Sequence, residues 1–235
     1  DLDIQSFSNV TVSGKAQAVL DIRVHTNSSL VSAAKEAQNF PPAPDYINIP
    51  ALDFDSSDPN SYKNQAALLG QVYSEGDFDN LLSNNPNLTL NGVVYVTGSV
   101  IVKQGRNLVI NGFLLADNDI KLGAAGPGGG YVSVTVNRTG GEPSGIASKE
   151  QIKMYDWLNN VDIEGLIYAN DEFEMDNFMD ILSFSVIGGI ITEEMDVNTH
   201  GELLNLTYDA STVQETLGNP GGSPVIDIDH WEEIY

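Results

Sequence analysis

The sequence predicts an all-β fold, a single-stranded parallel β-helix (β-solenoid) with a short helical and Pro-rich insertion that caps one end. Four segments fit one template, in which Gly precedes two apolar residues and further apolar residues follow at alternating positions. The copies begin at Gly92, Gly112, Gly165 and Gly189, so the first two start 20 residues apart and the last two 24. Such a period is typical of short strands that stack as successive turns, or rungs, of a coil.

The apolar residues of each copy explain why the repeat would fold. They are Val93, Val94, Val100 and Val102; Phe113, Leu114, Ile120 and Leu122; Leu166, Ile167, Phe173 and Met175; and Ile190, Ile191 and Val197, with Thr199 at the last template position. Alternation places one set of side chains inside and leaves the other in water. A single rung buries little, so stability comes from stacking. A β-sandwich with similarly spaced turns is the alternative.

We predict one β-solenoid domain over residues 1–235, with opening rungs in 1–38, a Pro-rich linker and capping helix in 39–85, and main rungs with a closing strand in 86–235. Strand-like alternation runs from Ile4 to Val24. Pro residues at 41, 42, 44 and 50 then favour an extended linker. Helical spacing predicts a helix over Asn60–Tyr73, ended by Gly76 and packed over one end of the stack.

The middle of the predicted solenoid is interrupted by loops. Gly123–Gly130 and Asn137–Gly145 are rich in turn residues, and a clean strand, Tyr131–Val136, lies between them. These loops are where we expect partner specificity, because loops carry most binding residues. After a strand over Leu203–Tyr208, the alternation in Val225–Trp231 predicts the closing strand.

The charge of the chain limits its partners. Its 33 acidic and 10 basic side chains give a formal net charge of −23, which repels nucleic acid and anionic membranes. A hydrophobic content of 41% is enough for a packed core. The sequence contains no run of about 18 apolar residues, the length that a membrane-spanning helix needs. We therefore expect neither nucleic-acid binding nor, within this sequence, membrane insertion.

Residue types also argue against several kinds of catalysis. The chain has no Cys, which excludes disulfides, thiolate catalysis and Cys-based metal sites. His25, His200 and His230 lie far apart in the sequence, without the spacing of a zinc site or any support for a Ser-His-Asp triad. No catalytic residue is therefore assigned, and we expect the protein not to be an enzyme.

A weak calcium site is the one metal candidate. Asp53, Asp55, Asp58 and Asn60 form the densest acidic cluster, and hard oxygen ligands of this kind suit Ca²⁺. The spacing departs from the EF-hand loop, and the alternative is a solvated loop in which Asp58 caps the helix after Pro59. No other cofactor is expected.

Acidic rung corners leave a carbohydrate-active enzyme or a sugar-binding module as an alternative function. Stacked strand solenoids also include polysaccharide lyases and hydrolases, and glycoside hydrolysis needs two facing carboxylates. Asp117 and Glu172 lie at equivalent template corners, yet turns also favour Asp and Asn, and the basic residues that a lyase needs are scattered. Tyr95 and Tyr168 share a template position and would form an aromatic stack on one face. Five Asn-X-Ser/Thr sequons occur, at Asn9, Asn27, Asn87, Asn137 and Asn205.

The rungs resemble those of bacterial PilX-like pilus assembly proteins. The resemblance rests on Gly92-Val-Val-Tyr-Val-Thr-Gly-Ser-Val, Asn111-Gly-Phe-Leu-Leu-Ala-Asp-Asn-Asp-Ile and Gly165-Leu-Ile-Tyr-Ala-Asn-Asp-Glu-Phe. The segments Ile49–Asp55, Leu206–Asp209 and Trp231-Glu-Glu are similar as well, so the resemblance covers roughly residues 45 to 235. The usual Gly-Asp corner is Gly98-Ser99 here, and the later corners lack the Gly. The rungs also resemble bactofilins, cytoskeletal β-helices that polymerise end to end but lack a Pro-rich linker and helical insertion.

This resemblance implies an extracellular or surface-displayed, non-catalytic structural protein, either a minor pilin-like component or an adhesion module. In that family a hydrophobic N-terminal helix precedes the soluble part, so membrane attachment would come only through such a helix, which this sequence does not contain. The expected partners are other pilus or surface proteins, with glycans as a further candidate. A bactofilin-like polymerising scaffold is a second alternative.

Overall fold

The computed structural model describes residues 50–126, 129–177, 183–199 and 203–217, together with the backbone of four short strands near the beginning of the chain. The chain divides into two compact units, Asp1–Asn48 and Ile49–Tyr235. Each unit is described by itself. The predicted division into opening rungs, linker and main rungs stays a prediction.

In the first unit, four strands pair two by two. The strands are β1 (Leu2–Ile4), β2 (Asn9–Thr11), β3 (Ile22–Val24) and β4 (Ser29–Val31). β1 lies parallel to β3, with Leu2 beside Ile22, and β2 lies parallel to β4, with Asn9 beside Ser29. Both pairs are offset by 20 residues, the same period as the first two template copies. Parallel pairing at this offset is what solenoid rungs require.

The second unit begins with helices and continues with strands. Its helices are α1 (Tyr62–Leu68), α2 (Glu75–Asn84) and α3 (Ala210–Leu217), and β5 (Val72–Ser74) separates the first two. The remaining strands are β6 (Asn87–Thr97), β7 (Val100–Lys103), β8 (Asn107–Ala116), β9 (Ile120–Ala124), β10 (Val132–Asn137), β11 (Gly145–Ser148), β12 (Ile152–Met154), β13 (Leu158–Ala169), β14 (Glu172–Asn177), β15 (Ser183–Ile191), β16 (Glu194–Thr199) and β17 (Leu203–Tyr208).

These strands form two parallel sheets, and the chain alternates between them. The main sheet has the order β17-β15-β13-β10-β8-β6-β5, and β11 joins it between β8 and β13. The second sheet has the order β16-β14-β12-β9-β7. A rung thus consists of a long strand in the main sheet and a short strand in the second, and the rungs stack as a β-solenoid of about five turns. The predicted fold class is confirmed.

Register agrees with the template in the early rungs and differs in the last. Gly92 lies beside Gly112, but Gly165 lies beside Gly188, not beside the predicted Gly189. A Cβ on Gly188, at φ 150°, would lie 2.0 Å from the carbonyl oxygen of Gly165, so this close approach requires Gly. The fourth template copy was therefore displaced by one residue. The template also missed the third rung, which consists of β10, β11 and β12.

The solenoid interior is a continuous apolar core. Its side chains include Leu108, Ile110, Ile120 and Leu122 in the second rung, and both sheets contribute. α2 closes the first end of this core with Phe78 and Leu82, which are 1% and 2% exposed. At the other described end, inward-facing side chains of β16 and β17 are exposed, among them Met195 and Leu206. The predicted closing strand Val225–Trp231 lies outside the described residues.

The predicted helix Asn60–Tyr73 was wrong in length and in role. α1 ends at Leu68, and Gly70 with a φ of 68° turns the chain into β5. Gly76 does not end a helix but lies in the first turn of α2, because Ser74 caps that helix by accepting a hydrogen bond from the Asp77 amide at 3.1 Å. α2, which the sequence analysis missed, is the helix that caps the stack.

A second apolar cluster covers the outer face of the main sheet. Residues 50–61, here called the strap, place Leu52 and Phe54 on this face, and α1 adds Tyr62. α3 packs on the same face through Val213. The outward residues that they cover occupy equivalent rung positions and include Val93, Tyr95, Phe113, Leu115, Ala147, Leu166, Tyr168 and Ile191. The strap before the solenoid and the helix after it therefore share one surface.

Candidate functional site

The densest group of charged side chains lies where the strap meets the solenoid. Lys149 Nζ is 2.6 Å from Asp117 Oδ1 and 2.9 Å from Asp55 Oδ1. The Tyr95 hydroxyl donates a hydrogen bond to Asp117 Oδ1 at 2.5 Å. Asp117 and Lys149 follow strands of neighbouring rungs, β8 and β11, whereas Asp55 belongs to the strap. We call these four residues the strap cluster.

Aromatic rings and a second lysine surround the strap cluster. Lys149 Nζ lies 5.7 Å from the centre of the Phe54 ring, and Lys63 Nζ lies 5.5 Å from that of Tyr95. Lys63 Nζ is also 4.0 Å from Asp55 Oδ2. Both ammonium groups therefore combine ion pairing with a cation–π contact, which fastens the strap by charge as well as by apolar packing.

The protonation states follow from these contacts. Partial burial alone would raise the pKa of Asp117, but hydrogen bonds from Lys149 and Tyr95 outweigh it and lower the pKa. Burial would lower the pKa of Lys149, yet hydrogen bonds to Asp117 and Asp55 raise it. Burial is the main cause that raises the pKa of Tyr95, and the hydrogen bond to Asp117 raises it further. Near neutral pH Asp117 is therefore ionised, Lys149 is charged and Tyr95 is neutral.

These charge states stabilise the contact between the strap and the rungs. A general base needs a pKa near the working pH, and a nucleophilic lysine needs a lowered pKa. The pKa of Asp117 is instead lowered, away from neutral pH, and that of Lys149 is raised. The strap cluster is suited to hold the strap on the rungs.

A second polar group fastens α3. The Arg138 guanidinium donates to Glu215 from Nε at 2.9 Å and from Nη2 at 2.7 Å, and its Nη1 is 3.7 Å from Asp209 Oδ2. The Thr216 hydroxyl lies 3.2 Å from the carbonyl oxygen of Ser144, to which it donates. The loop 138–144, which lies within the predicted specificity segment Asn137–Gly145, is thus bound to α3 at both of its ends.

α1 and α3 meet directly on the covered face. The Tyr62 hydroxyl donates to the carbonyl oxygen of Thr216. The Tyr62 ring packs edge-on against Phe113, with centroids 4.9 Å apart, and burial raises the pKa of Tyr62. The two coverings of the main sheet therefore support one another.

The predicted calcium residues take part in turns and ion pairs. Asp53 accepts hydrogen bonds from the Ser56 amide at 3.1 Å and from its hydroxyl at 2.6 Å. Asp58 accepts from the Asn60 amide at 2.8 Å, and Asp55 belongs to the strap cluster. The N-cap of α1 is Ser61 rather than Asp58. Across the described residues, no group of three or more His, Asp or Glu side chains is arranged for a metal, and calcium binding stays a prediction.

The acidic rung corners are engaged in contacts with other side chains. Asp171 Oδ2 accepts a hydrogen bond from Gln151 at 2.9 Å, and Lys153 Nζ lies 3.5 Å from Glu172 Oε2 and also pairs with Glu174. Asp117 is held in the strap cluster. The carboxylates that a hydrolase would use are thus paired with amides and lysines of neighbouring rungs.

The structure does not form the aromatic stack expected of Tyr95 and Tyr168. Leu115 and Ala147 occupy the same position in the two rungs between them, so the rings are not neighbours. Tyr168 instead packs against Phe54 of the strap, with centroids 6.0 Å apart. The equal template position was correct, but the second and third rungs lie between the two tyrosines.

An open groove of about 390 Å³ lies between α1 and the loop 138–144. Gly92 and Gly112 contribute to its floor, and Leu69 and Pro143 to its sides. Leu68 at the end of α1 is 85% exposed beside it. This groove borders the loop 138–144, which lies within the predicted specificity region.

The histidines and two of the sequons fall partly or wholly outside the described residues. His25, His200 and His230 lie there, as do the side chains of the sequons at Asn9 and Asn27. Within the described part of the chain, no helix is long and apolar enough to cross a membrane.

Comparison of the sequence with protein-family models and curated proteins, and of the fold with solved structures, gives no match. The resemblance to PilX-like proteins therefore stays a prediction.

Sequence reasoning found Asp55, Asp117 and Tyr95 but not that they share a site with Lys149. The sequence separations, from 22 residues between Tyr95 and Asp117 upward, leave no local motif. Lys149 follows β11 and Asp117 follows β8, so a correct assignment of the third rung would have placed these two residues side by side. Rung register was the missing signal.

Proposed function

We propose that this chain is a non-catalytic structural and interaction module of the cell surface, with a pilus-type assembly as its setting. The observation that carries the proposal is the strap cluster, in which Lys149 pairs with Asp117 of the solenoid and with Asp55 of the strap and so fastens one segment to the other. The paired carboxylates at the rung corners support the same function.

The architecture adds a second argument. A stack of rungs whose interior is filled and whose outer face is covered by a strap and a helix gives a stiff body of fixed shape. Such a body suits a spacer or display element, in which surface positions repeat at the rung spacing. The proposed partners are other surface or pilus proteins, with glycans as a further class.

Localisation tests the proposal in the cells that produce the protein. We expect an antibody against residues 50–217 to label intact cells, external protease to remove the label, and shearing of surface filaments to release the chain. Matched lysed cells provide the control for antibody access. Recovery of the chain only from the interior, with no labelling of intact cells, would contradict the proposal.

The alternative of a carbohydrate-active enzyme is tested separately. Incubation with neutral and acidic polysaccharides should release no reducing ends and no unsaturated products. Turnover that is lost in an Asp117→Asn variant with unchanged circular dichroism would reject the non-catalytic function.

A further inference from the structure

An exposed part of the main sheet carries no charge. Three rungs contribute three outward positions each on the first half of their long strands, and together we call them the amide face: Asn87, Thr89 and Asn91 of β6, Asn107, Val109 and Asn111 of β8, and Ser133, Thr135 and Asn137 of β10. All nine are exposed or half-buried, whereas the alternating residues between them point into the core. The strap and α3 pack on the other half of the long strands.

The register arranges the amide face as a regular grid. Asn87 lies beside Asn107, which lies beside Ser133, and the other two rows are equally in register. Neighbouring parallel strands are about 4.8 Å apart and outward residues along a strand about 6.6 Å apart, so the grid measures roughly 10 by 13 Å. Its flatness and regularity come directly from the solenoid.

Side-chain hydrogen bonds order this grid. Asn107 Nδ2 donates to Asn87 Oδ1 at 2.7 Å. Asn111 Nδ2 donates to Asn91 Oδ1 at 2.7 Å, and Asn137 Nδ2 donates to Asn111 Oδ1 at 2.8 Å. The amides are therefore held in place before any ligand binds, which reduces the entropy lost on binding.

The ladders leave hydrogen-bonding capacity unused. A carboxamide has two N–H donors and an oxygen with two lone pairs, and each ladder bond uses only one donor and one lone pair. The remaining donors and acceptors belong to the two outer rows, and the hydroxyls of Thr89 and Thr135 lie in the middle row between them. A sugar hydroxyl both donates and accepts, so a polyhydroxylated ligand is complementary to such a surface.

The absence of charge selects among ligands. On the second sheet, the outward positions of the corresponding rungs include Lys121 and Lys153, and later rungs add Glu174 and Asp196. The charge-free grid is thus a property of this face and not of outward positions in general. It ends at β13, where Asp162 lies beside Thr135 and Glu164 follows Ile163, the partner of Val136. A chain of net charge −23 repels anionic polymers, and cationic ones find no counter-charge on the grid.

From this charge pattern and the ordered amides, we infer that the amide face binds a neutral polysaccharide. The inference rests on the proposed function, since it names the class of surface partner that the module recognises. Contacts are made by amides and hydroxyls without ion pairs, so binding is expected to be independent of salt. The groove beside the loop 138–144 takes no part in this contact.

The test measures binding to cellulose, chitin, mannan and dextran by sedimentation or affinity electrophoresis, with polygalacturonate and alginate as acidic probes. We expect at least one neutral polymer to retain the chain equally at about 0.1 M and about 1 M salt. A Thr89→Lys/Thr135→Lys double variant should bind that polymer at least about tenfold more weakly, because bulk and charge then cover the middle row.

Two variants keep the result interpretable. Thr89→Ser/Thr135→Ser preserves the hydroxyls and should bind like the unchanged protein. Ser83→Lys places one positive charge on an exposed position of α2, away from the grid, and should also leave binding unchanged. Circular dichroism and the unfolding midpoint establish that each variant is folded.

Failure of all four neutral polymers to bind, or binding that the double Lys variant retains, overturns the inference and assigns the ladders a role in stability alone. Loss of binding in high salt also contradicts it, because an ionic contact elsewhere would then be responsible. Surface labelling of intact cells tests the proposed function independently, so a surface-displayed chain that binds no polysaccharide rejects only the amide face.

Discussion

Replacing Phe78 by Ala tests whether α2 closes the first end of the solenoid. Phe78 is 1% exposed, packs into the interior core and lies 5.8 Å, centroid to centroid, from the Tyr73 ring. Truncation of a fully buried Phe typically costs about 3 to 5 kcal/mol, through lost transfer free energy and the cavity left behind. At a terminal helix that can partly settle into the cavity, we expect about 3 kcal/mol.

The loss is measured by urea unfolding followed by circular dichroism, and by hydrogen exchange of the β6 and β7 amides. For a unit of this size, about 3 kcal/mol corresponds to a fall of the melting temperature by roughly 6 to 12 °C. Ser83→Ala, on an exposed position of α2, is the matched control and should change stability by less than about 0.5 kcal/mol.

Faster exchange confined to α2 and the first rung would support the cap. If the Phe78→Ala protein stayed within about 1 kcal/mol of the unchanged protein while α2 remained helical, the reasoning would be refuted, because the first rung would then be stable without its cover.

Three further predictions concern the rung contacts. Gly112→Ala should lower the free energy of unfolding in urea by at least about 3 kcal/mol, because the φ of Gly112 is 141° and a Cβ would lie 2.4 Å from a carbonyl oxygen of the preceding rung. Gly76→Ala, where a Cβ meets open space, should instead stabilise α2 by up to about 1 kcal/mol. Equal effects of the two substitutions would contradict the close approach. Lys149→Met should destabilise by about 1 to 2 kcal/mol at neutral pH. Because the pKa of Asp117 is lowered in the folded protein, its contribution to stability is present above the ordinary value of 3.8 and is lost as the pH falls through the folded pKa. The difference in stability between the unchanged protein and Lys149→Met should therefore shrink in acid. A difference independent of pH would refute the ion pair. Arg138→Gln should weaken the attachment of α3, seen as faster hydrogen exchange in α3 with β13 unchanged; equal acceleration in both would indicate general loosening instead.

The repeat in the sequence was informative because burial in a solenoid is local to each rung. Gly92 and Gly112, with the alternating apolar residues after them, have the partners that the template predicts. The third rung was missed because its long strand is interrupted between β10 and β11, and because Gly145 lies beside Phe113 and Leu166, one position after the template Gly. The period then failed in the fourth copy, where Gly188 takes the place predicted for Gly189.

Helix assignment failed for a different physical reason. The run from Asn60 to Tyr73 has helical spacing, but Gly70 adopts a positive φ and the chain then pairs with β6 through β5. α2 carries four acidic or amide residues and a Gly in its first six positions, so its two buried side chains give only a weak pattern of apolar residues at helical spacing. Burial of Phe78 and Leu82 against the solenoid end stabilises it.

The sequence by itself determined the fold class, the parallel stacking and the strongly acidic surface, because these follow from local alternation and composition. Only the tertiary structure decided which residues meet across rungs and coverings: Lys149 with Asp117 and Asp55, Tyr62 with Thr216, and the asparagine ladders of the amide face. Such contacts depend on register, and a shift of one residue in a rung exchanges its inner and outer faces. The local pattern, which is nearly the same in every rung, does not encode that register.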